Sequence, residues 1–169
     1  MNVIKFICNL ALLSLSYLNL CRANKKNISK ANYFILKNTK NFIDPRSIKF
    51  ANITKDNLSS SLNFVRSVSL KLSFKAILSL KNIFIINSLH DVILFKNNFF
   101  NKSKKDTHKQ YFHTIFLILK YSKIKKFTMI DDYRLMNLFL PALEKLKIVS
   151  NGYMHGRVSN NLKFQENLK

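Results

Sequence analysis

The chain has 169 residues, with 29 Lys and Arg against 8 Asp and Glu, so its formal net charge is +21 although 47% of its residues are hydrophobic. This length allows one domain, or two at most. A disordered basic tail would lack the apolar residues, so the sequence indicates a folded, strongly basic protein. Such a protein repels itself and needs a polyanionic partner. A nucleic-acid backbone is the first candidate, an anionic membrane surface is the second, and a basic protein with no specific partner is the third.

The sequence carries no pattern typical of an enzyme or a metal protein. Cys8 and Cys21 lie on one apolar segment, which excludes a disulfide framework and a Cys-based zinc site. There is no phosphate-binding glycine loop, no Walker lysine and no nucleophile elbow. The histidines His90, His108, His113 and His155 lack metal-ligand spacing, and Asp131-Asp132 suits a helix cap better than acid–base catalysis. We therefore expect no enzyme activity, no cofactor and no small-molecule substrate.

Residues 3–21 form the longest apolar run. Val3, Phe6, Leu10, Leu13, Tyr17 and Leu20 recur at intervals of three or four residues, which predicts the core-facing side of a helix. Lys5, Asn9, Ser16 and Asn19 fall largely opposite. These polar residues, and the lack of a small-x-small cleavage site, favour a core helix over a membrane helix or a signal peptide. A membrane segment is the alternative interpretation.

The next segments predict an α/β fold. After a polar, basic stretch at 22–47, residues 48–53 read as a buried strand. Asp56 is the predicted cap of a helix in which Leu58, Leu62, Val65 and Leu72 keep helical spacing. Residues 82–87 form a second apolar strand. A helix between two such strands is a βαβ unit, so we predict a single domain over 1–169, a parallel sheet of βαβ units with flanking helices.

A basic insertion is predicted at about 96–126, as a hairpin or helix. Its apolar centre, 111–119, is too short to cross a bilayer. Residues 127–130 read as a strand, and Asp131 or Asp132 opens a helix to about Leu146, which Pro141 kinks or restarts. We expect the lysines of the insertion to face RNA or a neighbouring protein. They are Lys102, Lys104, Lys105 and Lys109 near its start, and Lys123, Lys125 and Lys126 near its end.

Both glycines of the chain lie in the segment 149–161, VSNGYMHGRVSNN. Since Gly is otherwise avoided, they indicate a positive φ or a close approach to another backbone. Tyr153 can stack on a base, and the polar side chains around it can donate to phosphate oxygens. The candidate RNA contacts of this segment are Asn151, Tyr153, Arg157, Ser159 and Asn160. An ordinary polar turn is the alternative.

This segment resembles the signature V-x-x-R-W-x-x-G-x-L-T-N of the small-subunit ribosomal protein uS-two family. The matching positions are Val149, Tyr153, Gly156, Val158, Ser159 and Asn160, whereas Gly152 stands where the family has Arg. Weaker similarities precede it in the family's order. They are Tyr17-Leu18-Asn19 at the first helix, Asn27 to Phe34, the strand-like 48–55, Leu62 to Arg66 at a helix, and Ile83 to Ser88 at a strand.

The resemblance implies a structural protein of the small ribosomal subunit that binds small-subunit rRNA and neighbouring ribosomal proteins. The AT-rich codon preference of the composition is typical of organelle genomes, so we expect a mitochondrial ribosome in the matrix. The family's second half is missing here, which implies either a separate chain that supplies it or a ribosome that does without it. The alternative function is a small organelle-encoded, membrane-associated subunit of a respiratory complex, anchored by residues 3–21.

Overall fold

The computed structural model describes residues 2–36, 58–80, 82–130 and 133–153, and the structural statements below concern these ranges. The helices and strands in chain order are α1 Val3–Lys25, β1 Lys30–Leu36, β2 Leu62–Ser67, α2 Leu70–Ser79, β3 Ile83–Ile85, α3 Ile86–Phe99, α4 Lys104–Tyr121, β4 Lys126–Ile130, α5 Tyr133–Lys145 and β5 Val149–Tyr153.

The strands form one parallel sheet in the order β3-β2-β1-β4-β5. The predicted α/β class, with a parallel sheet and flanking helices, is therefore confirmed. Beginning at β1, the chain adds strands first on one side and then on the other, which is a doubly wound order. All strands begin at the same end of the sheet, across the strand direction, and this end is called the amino edge below. There Lys30 lies beside Lys126, and Lys126 lies beside Val149.

Two hydrophobic clusters lie on opposite faces of the sheet. The smaller one joins Phe34, Val65 and Ile85 of the strands to Leu72 and Ala76 of α2. The larger one packs α3, α4 and α5 on the other face, around a set of stacked and tilted rings. Phe139 of α5 lies at the centre of these rings, with centroid distances of 5.0 Å to Phe127, 5.6 Å to Tyr33 and 5.7 Å to Phe64.

Helix α1 is present as predicted, and its predicted core face is right at Leu13 and Leu20 but wrong at Val3 and Leu10. Val3 and Leu10 are 61% and 44% exposed, whereas Asn9 and Ser16 are fully buried. Apolar residues surround the helix almost completely, so their spacing does not single out one face. The buried polar residues decide the orientation, because each makes a hydrogen bond that only the inward position allows.

The buried polar face of α1 closes the edge of the sheet at β3. On its inner side β3 pairs with β2, and Asn82 just before it accepts the main-chain N–H of Asn63 at 2.7 Å. On its outer side the Ile85 N–H donates to Ser16 Oγ at 3.0 Å, and the Ile83 carbonyl accepts Asn19 Nδ2 at 3.1 Å. Side chains of α1 thus take the place of a further strand, and an edge that could pair with another chain is covered.

The helix predicted across Leu58 to Leu72 is wrong, because Leu62–Ser67 is strand β2 and helix α2 begins only at Leu70. A central strand of a parallel sheet is buried on both faces, so its apolar residues run on without alternation and can match helical spacing by chance. Ser69 caps α2 by accepting the Leu72 N–H at 3.2 Å. The proposed cap, Asp56, and the predicted strand 48–53 lie outside the described residues.

Further along the chain the predicted elements are found with shifted limits. The strand expected at 82–87 is Ile83–Ile85, after which α3 starts directly at Ile86. The apolar centre of the expected insertion belongs to α4, whose Tyr111, Ile115 and Leu119 are part of the core. The strand at 127–130 is β4, and the helix expected to run to Leu146 is α5, with Pro141 inside it. Asp131 and Asp132 lie outside the described residues.

The edge closure yields a stability prediction. Ser16→Ala leaves the buried Ile85 N–H without its acceptor, so we expect the free energy of unfolding to fall by about 1–3 kcal/mol. Ser14→Ala is the matched control, since exposed Ser14 bonds only to the Leu10 carbonyl of its own helix, at 3.0 Å. It should change stability by less than about 0.5 kcal/mol. Urea denaturation measures both, and equal effects of the two substitutions would contradict the edge closure.

Candidate nucleic-acid interface

The amino edge of the sheet gathers exposed lysines from three neighbouring loops and strand starts. They are Lys26 and Lys30 around the α1–β1 loop, Lys123, Lys125 and Lys126 around the α4–β4 loop, and Lys147 in the α5–β5 loop. We call these six residues the amino-edge cluster. Adjacent strands lie about 4.8 Å apart, so the strand-borne Lys30 and Lys126 are direct neighbours.

The loops that carry the cluster are joined through their main chains. The Ser29 carbonyl accepts the N–H of Lys125 at 2.8 Å and that of Lys126 at 3.1 Å. The Lys125 carbonyl in turn accepts the N–H of Val149 at 3.1 Å. The backbone under the lysines is therefore fixed, while their charged side chains remain in solvent.

The cluster has no acidic partner within the described ranges. The acidic residues there are Asp91, Asp106 and Glu144. The salt bridges in these ranges are Lys5–Asp91 at 3.3 Å and His90–Asp91 at 3.8 Å, and neither involves the cluster. Helices α1, α4 and α5 also end at this edge, and their negative dipole ends favour nearby cations. That effect accounts for lysines in the loops, but not for Lys30 and Lys126 on the strands.

An open cavity of about 330 Å³ lies within the cluster. The α1–β1 loop forms one side of it with Lys26, Asn27 and Lys30, and Ser59 and Ser60, just before β2, form the other. A cavity lined by two lysines and by polar residues is suited to an anionic oxygen group such as a phosphate.

The second group of predicted contact residues lies elsewhere. Lys102, Lys104, Lys105 and Lys109 are exposed around the first turns of α4, and we call them the α4-start cluster. Since α4 has 18 residues, about 18 Å of helix separates Lys109 from the amino edge, and about 27 Å separates the other three.

An aspartate lies within the α4-start cluster and lowers its net charge. The Ser103 hydroxyl donates to the Asp106 carboxylate at 2.7 Å, and the Asp106 N–H donates back to that hydroxyl at 3.1 Å. The hydrogen bond from Ser103, aided by the charges of Lys102 and Lys109, holds the pKa of Asp106 below its usual value. This carboxylate therefore stays charged in neutral solution, and the amino edge is the stronger candidate for an anionic partner.

The structure brings together part of the predicted contact set. Lys123, Lys125 and Lys126 belong to the amino-edge cluster, and exposed Asn151 lies on β5 opposite Thr128, two positions beyond Lys126 on the same sheet face. Residues 149–153 form β5, which is last in the strand order and therefore an edge strand. The predicted contacts Arg157, Ser159 and Asn160, and Gly156 beside them, lie outside the described residues.

Lys26, Lys30 and Lys147 were not among the predicted contacts. Their signal is position along the chain rather than a motif, since each lies just after a helix or at the start of a strand. Such a position does not suffice by itself, because Lys102 follows α3 and belongs to the α4-start cluster. The strand order is what brings the three lysines to one edge.

No group of three His, Cys, Asp or Glu side chains in the described ranges is arranged to hold a metal ion. In the same ranges α1 is the one helix long and apolar enough to cross a membrane. Of its most apolar 18-residue stretch, 33% is buried in the fold. Cys8 and Cys21 on this helix are both free thiols.

No protein-family model matches the chain, and no curated protein or solved structure matches it either. The resemblance to the uS-two family therefore depends on the quoted residues alone.

Lysine occupies an unfavourable backbone position in the amino-edge cluster. Lys123 and Lys147 both have a φ of 54°, in the left-handed region where Gly is preferred after a helix. A residue other than Gly costs about 1 kcal/mol in this conformation, because its Cβ approaches the backbone too closely. We therefore predict that Lys123→Gly raises the free energy of unfolding by up to about 1 kcal/mol.

Asn101→Gly is the matched control, since Asn101 has a φ of 51° at the end of α3 and is not part of the cluster. It should be stabilising as well, although by less, because Asn tolerates this region better than Lys does. Thermal unfolding of both variants measures the effect. A clear loss of stability in Lys123→Gly would contradict the backbone argument.

Proposed function

We propose that this protein is an RNA-binding structural protein and that its amino-edge cluster is the RNA-contacting surface. The observation that carries the proposal is the convergence of six exposed lysines on one sheet edge, without an acidic partner among the described residues. Lysines on a rigid backbone neutralise phosphates and release counterions, which gives affinity without base specificity.

The shape of the surface favours folded RNA as the partner. The lysines are presented by short loops and strand starts. A-form RNA is recognised mainly through its backbone and shape, because its major groove is too narrow and deep for side chains to read. A basic edge made of loops and strand starts is suited to that type of contact.

The finer assignment rests on the resemblance to the uS-two family. It supports a structural role in the small ribosomal subunit of a mitochondrion, with small-subunit rRNA and neighbouring ribosomal proteins as partners. The high lysine content and the charge of +21 agree with a protein embedded in rRNA. On this proposal the protein needs no cofactor, since its contribution is charge neutralisation and shape.

Two charge-matched triple variants test the RNA surface. Lys26→Ser, Lys30→Ser and Lys126→Ser together remove three charges from the amino edge. Lys102→Ser, Lys104→Ser and Lys105→Ser remove three from the start of α4. With a stem-loop RNA, the first triple should reduce the log–log salt slope by about 2–3, at about 0.7–0.9 per lost phosphate contact, and the second by less than about 1.

Both triples should unfold as the wild type does, because exposed unpaired lysines contribute little to stability. Equal losses of affinity in the two triples would mean that binding follows net charge and not the amino edge. A wild-type affinity that hardly depends on salt would overturn the RNA proposal altogether.

The ribosomal assignment has its own test. In sucrose gradients of a mitochondrial lysate, the wild-type chain should sediment with small-subunit rRNA. The amino-edge triple should move toward the top of the gradient, and the α4-start triple should not. RNA binding in vitro without sedimentation on the small subunit would leave the RNA surface standing and refute the ribosomal assignment.

A further inference from the structure

Helix α1 carries an exposed apolar face along its whole length, opposite its buried polar face. Val3, Ile4, Ile7 and Leu18 are 53–69% exposed, and Leu10 is 44% exposed. Ala11, Tyr17 and Cys21 lie on the same side and are also exposed. We call these eight residues the α1 stripe. Exposed Ser14 interrupts the stripe between Ala11 and Tyr17. A row of exposed apolar side chains on one side of a helix marks an interaction surface.

The charges on α1 indicate what kind of surface this is. Lys5 lies near the start of the helix, and Arg22 and Lys25 lie in its last turn, with Lys26 directly after it. The helix contains no acidic residue. Lys5 is paired with Asp91 on the packed side, so the basic charge available to a partner lies at the end of the helix. An apolar stripe followed by a group of basic residues is suited to the interface of an anionic bilayer.

The contacts of α1 with the fold argue against a membrane-spanning orientation. A spanning helix would have to leave the sheet, which would break the bonds of Ser16 and Asn19 to the main chain of β3. It would also separate Asn9 and Lys5 from Asp91, which they contact at 3.1 Å and 3.3 Å. These polar groups would then enter the hydrocarbon without partners, at a high cost in free energy.

A second copy of the chain fits the stripe less well. Each copy carries a net charge of +21, and all the charged residues of α1 are basic. Like charges facing each other destabilise such an interface, whereas an anionic lipid surface complements them.

We propose that the α1 stripe binds the surface of an anionic membrane, with the helix parallel to the bilayer plane and still packed on the sheet. Ile7, Leu10 and Leu18 enter the acyl boundary, and Arg22 and Lys25 contact the lipid phosphates, whereas Lys5 stays paired with Asp91 on the packed side of the helix. The inference is independent of RNA binding, because the stripe and the amino-edge cluster consist of different residues.

Flotation with lipid vesicles tests the proposal on the full chain. The probes are phosphatidylcholine vesicles with and without about 30% phosphatidylglycerol, the fraction that sets the surface charge. The wild type should float with the anionic vesicles. Ile7→Ser with Leu18→Ser should weaken binding about tenfold or more, since both apolar anchors are lost. Val149→Ser is the control, because Val149 matches Ile7 in exposure, 59% each, and lies on β5 at the opposite edge of the sheet.

A fluorescent reporter provides a second measurement that does not depend on a destabilising change. The chain contains no Trp, so Leu18→Trp and Val149→Trp each introduce a single indole. With anionic vesicles the fluorescence emission of the Leu18→Trp variant should shift to shorter wavelength and be quenched by brominated lipid. The Trp at position 149 should do neither.

Three outcomes would overturn the proposal. If the amino-edge triple abolishes vesicle binding and the Ile7/Leu18 double variant does not, the protein adsorbs through its lysines alone. A dimer in sedimentation equilibrium that the same double variant dissociates would assign the stripe to a second copy. Equal flotation with neutral and anionic vesicles would remove the charge argument.

Discussion

The hydrogen bonds between α1 and the outer side of β3 set the arrangement of the rest of the molecule. β3 has three residues, and a strand this short at a sheet edge offers little pairing of its own. Ser16 and Asn19 supply the partners that its outward main-chain groups need. Because these two side chains must point inward, α1 contributes Leu12 to one hydrophobic cluster and Leu13 to the other, and so joins both faces of the sheet.

The same constraint produces the unusual exterior of α1. A helix rich in apolar residues on all sides cannot bury all of them against one sheet edge, and the buried polar side chains take part of the inward face. The remaining apolar residues then face outward. The core clusters take Leu12, Leu13, Leu20 and Ala23 from α1, which leaves the apolar residues of the α1 stripe outside.

The sequence sufficed for the fold class, because short apolar runs such as 82–87 are typical of parallel strands buried on both faces, although the helix of the predicted βαβ unit was placed across strand β2. It did not suffice for the orientation of α1, since helical spacing cannot rank Asn9 and Ser16 above Val3 and Leu10 without knowing that a strand edge needs hydrogen bonds. It also did not separate β2 from a helix, because Leu62, Phe64 and Val65 satisfy both patterns. The lysines were recognised by composition, but their grouping depends on strand order, which no local pattern encodes. Lys30 and Lys126 are 96 positions apart and become neighbours only through the parallel pairing of β1 and β4.

The two proposed surfaces meet where α1 ends. Its last turn reaches the amino edge, since Asn24 Nδ2 donates to the Tyr121 carbonyl at the end of α4, at 2.9 Å. Lys25 and Lys26 therefore lie between the α1 stripe and the amino-edge cluster, whereas Ile7 lies about 27 Å away along the helix. Lys25 belongs to the proposed lipid contacts and Lys26 to the amino-edge cluster, so the two surfaces adjoin here without sharing a residue. Because the Ile7 end of the stripe and the strand-borne lysines are well separated, one molecule has room to contact a bilayer and an RNA at once.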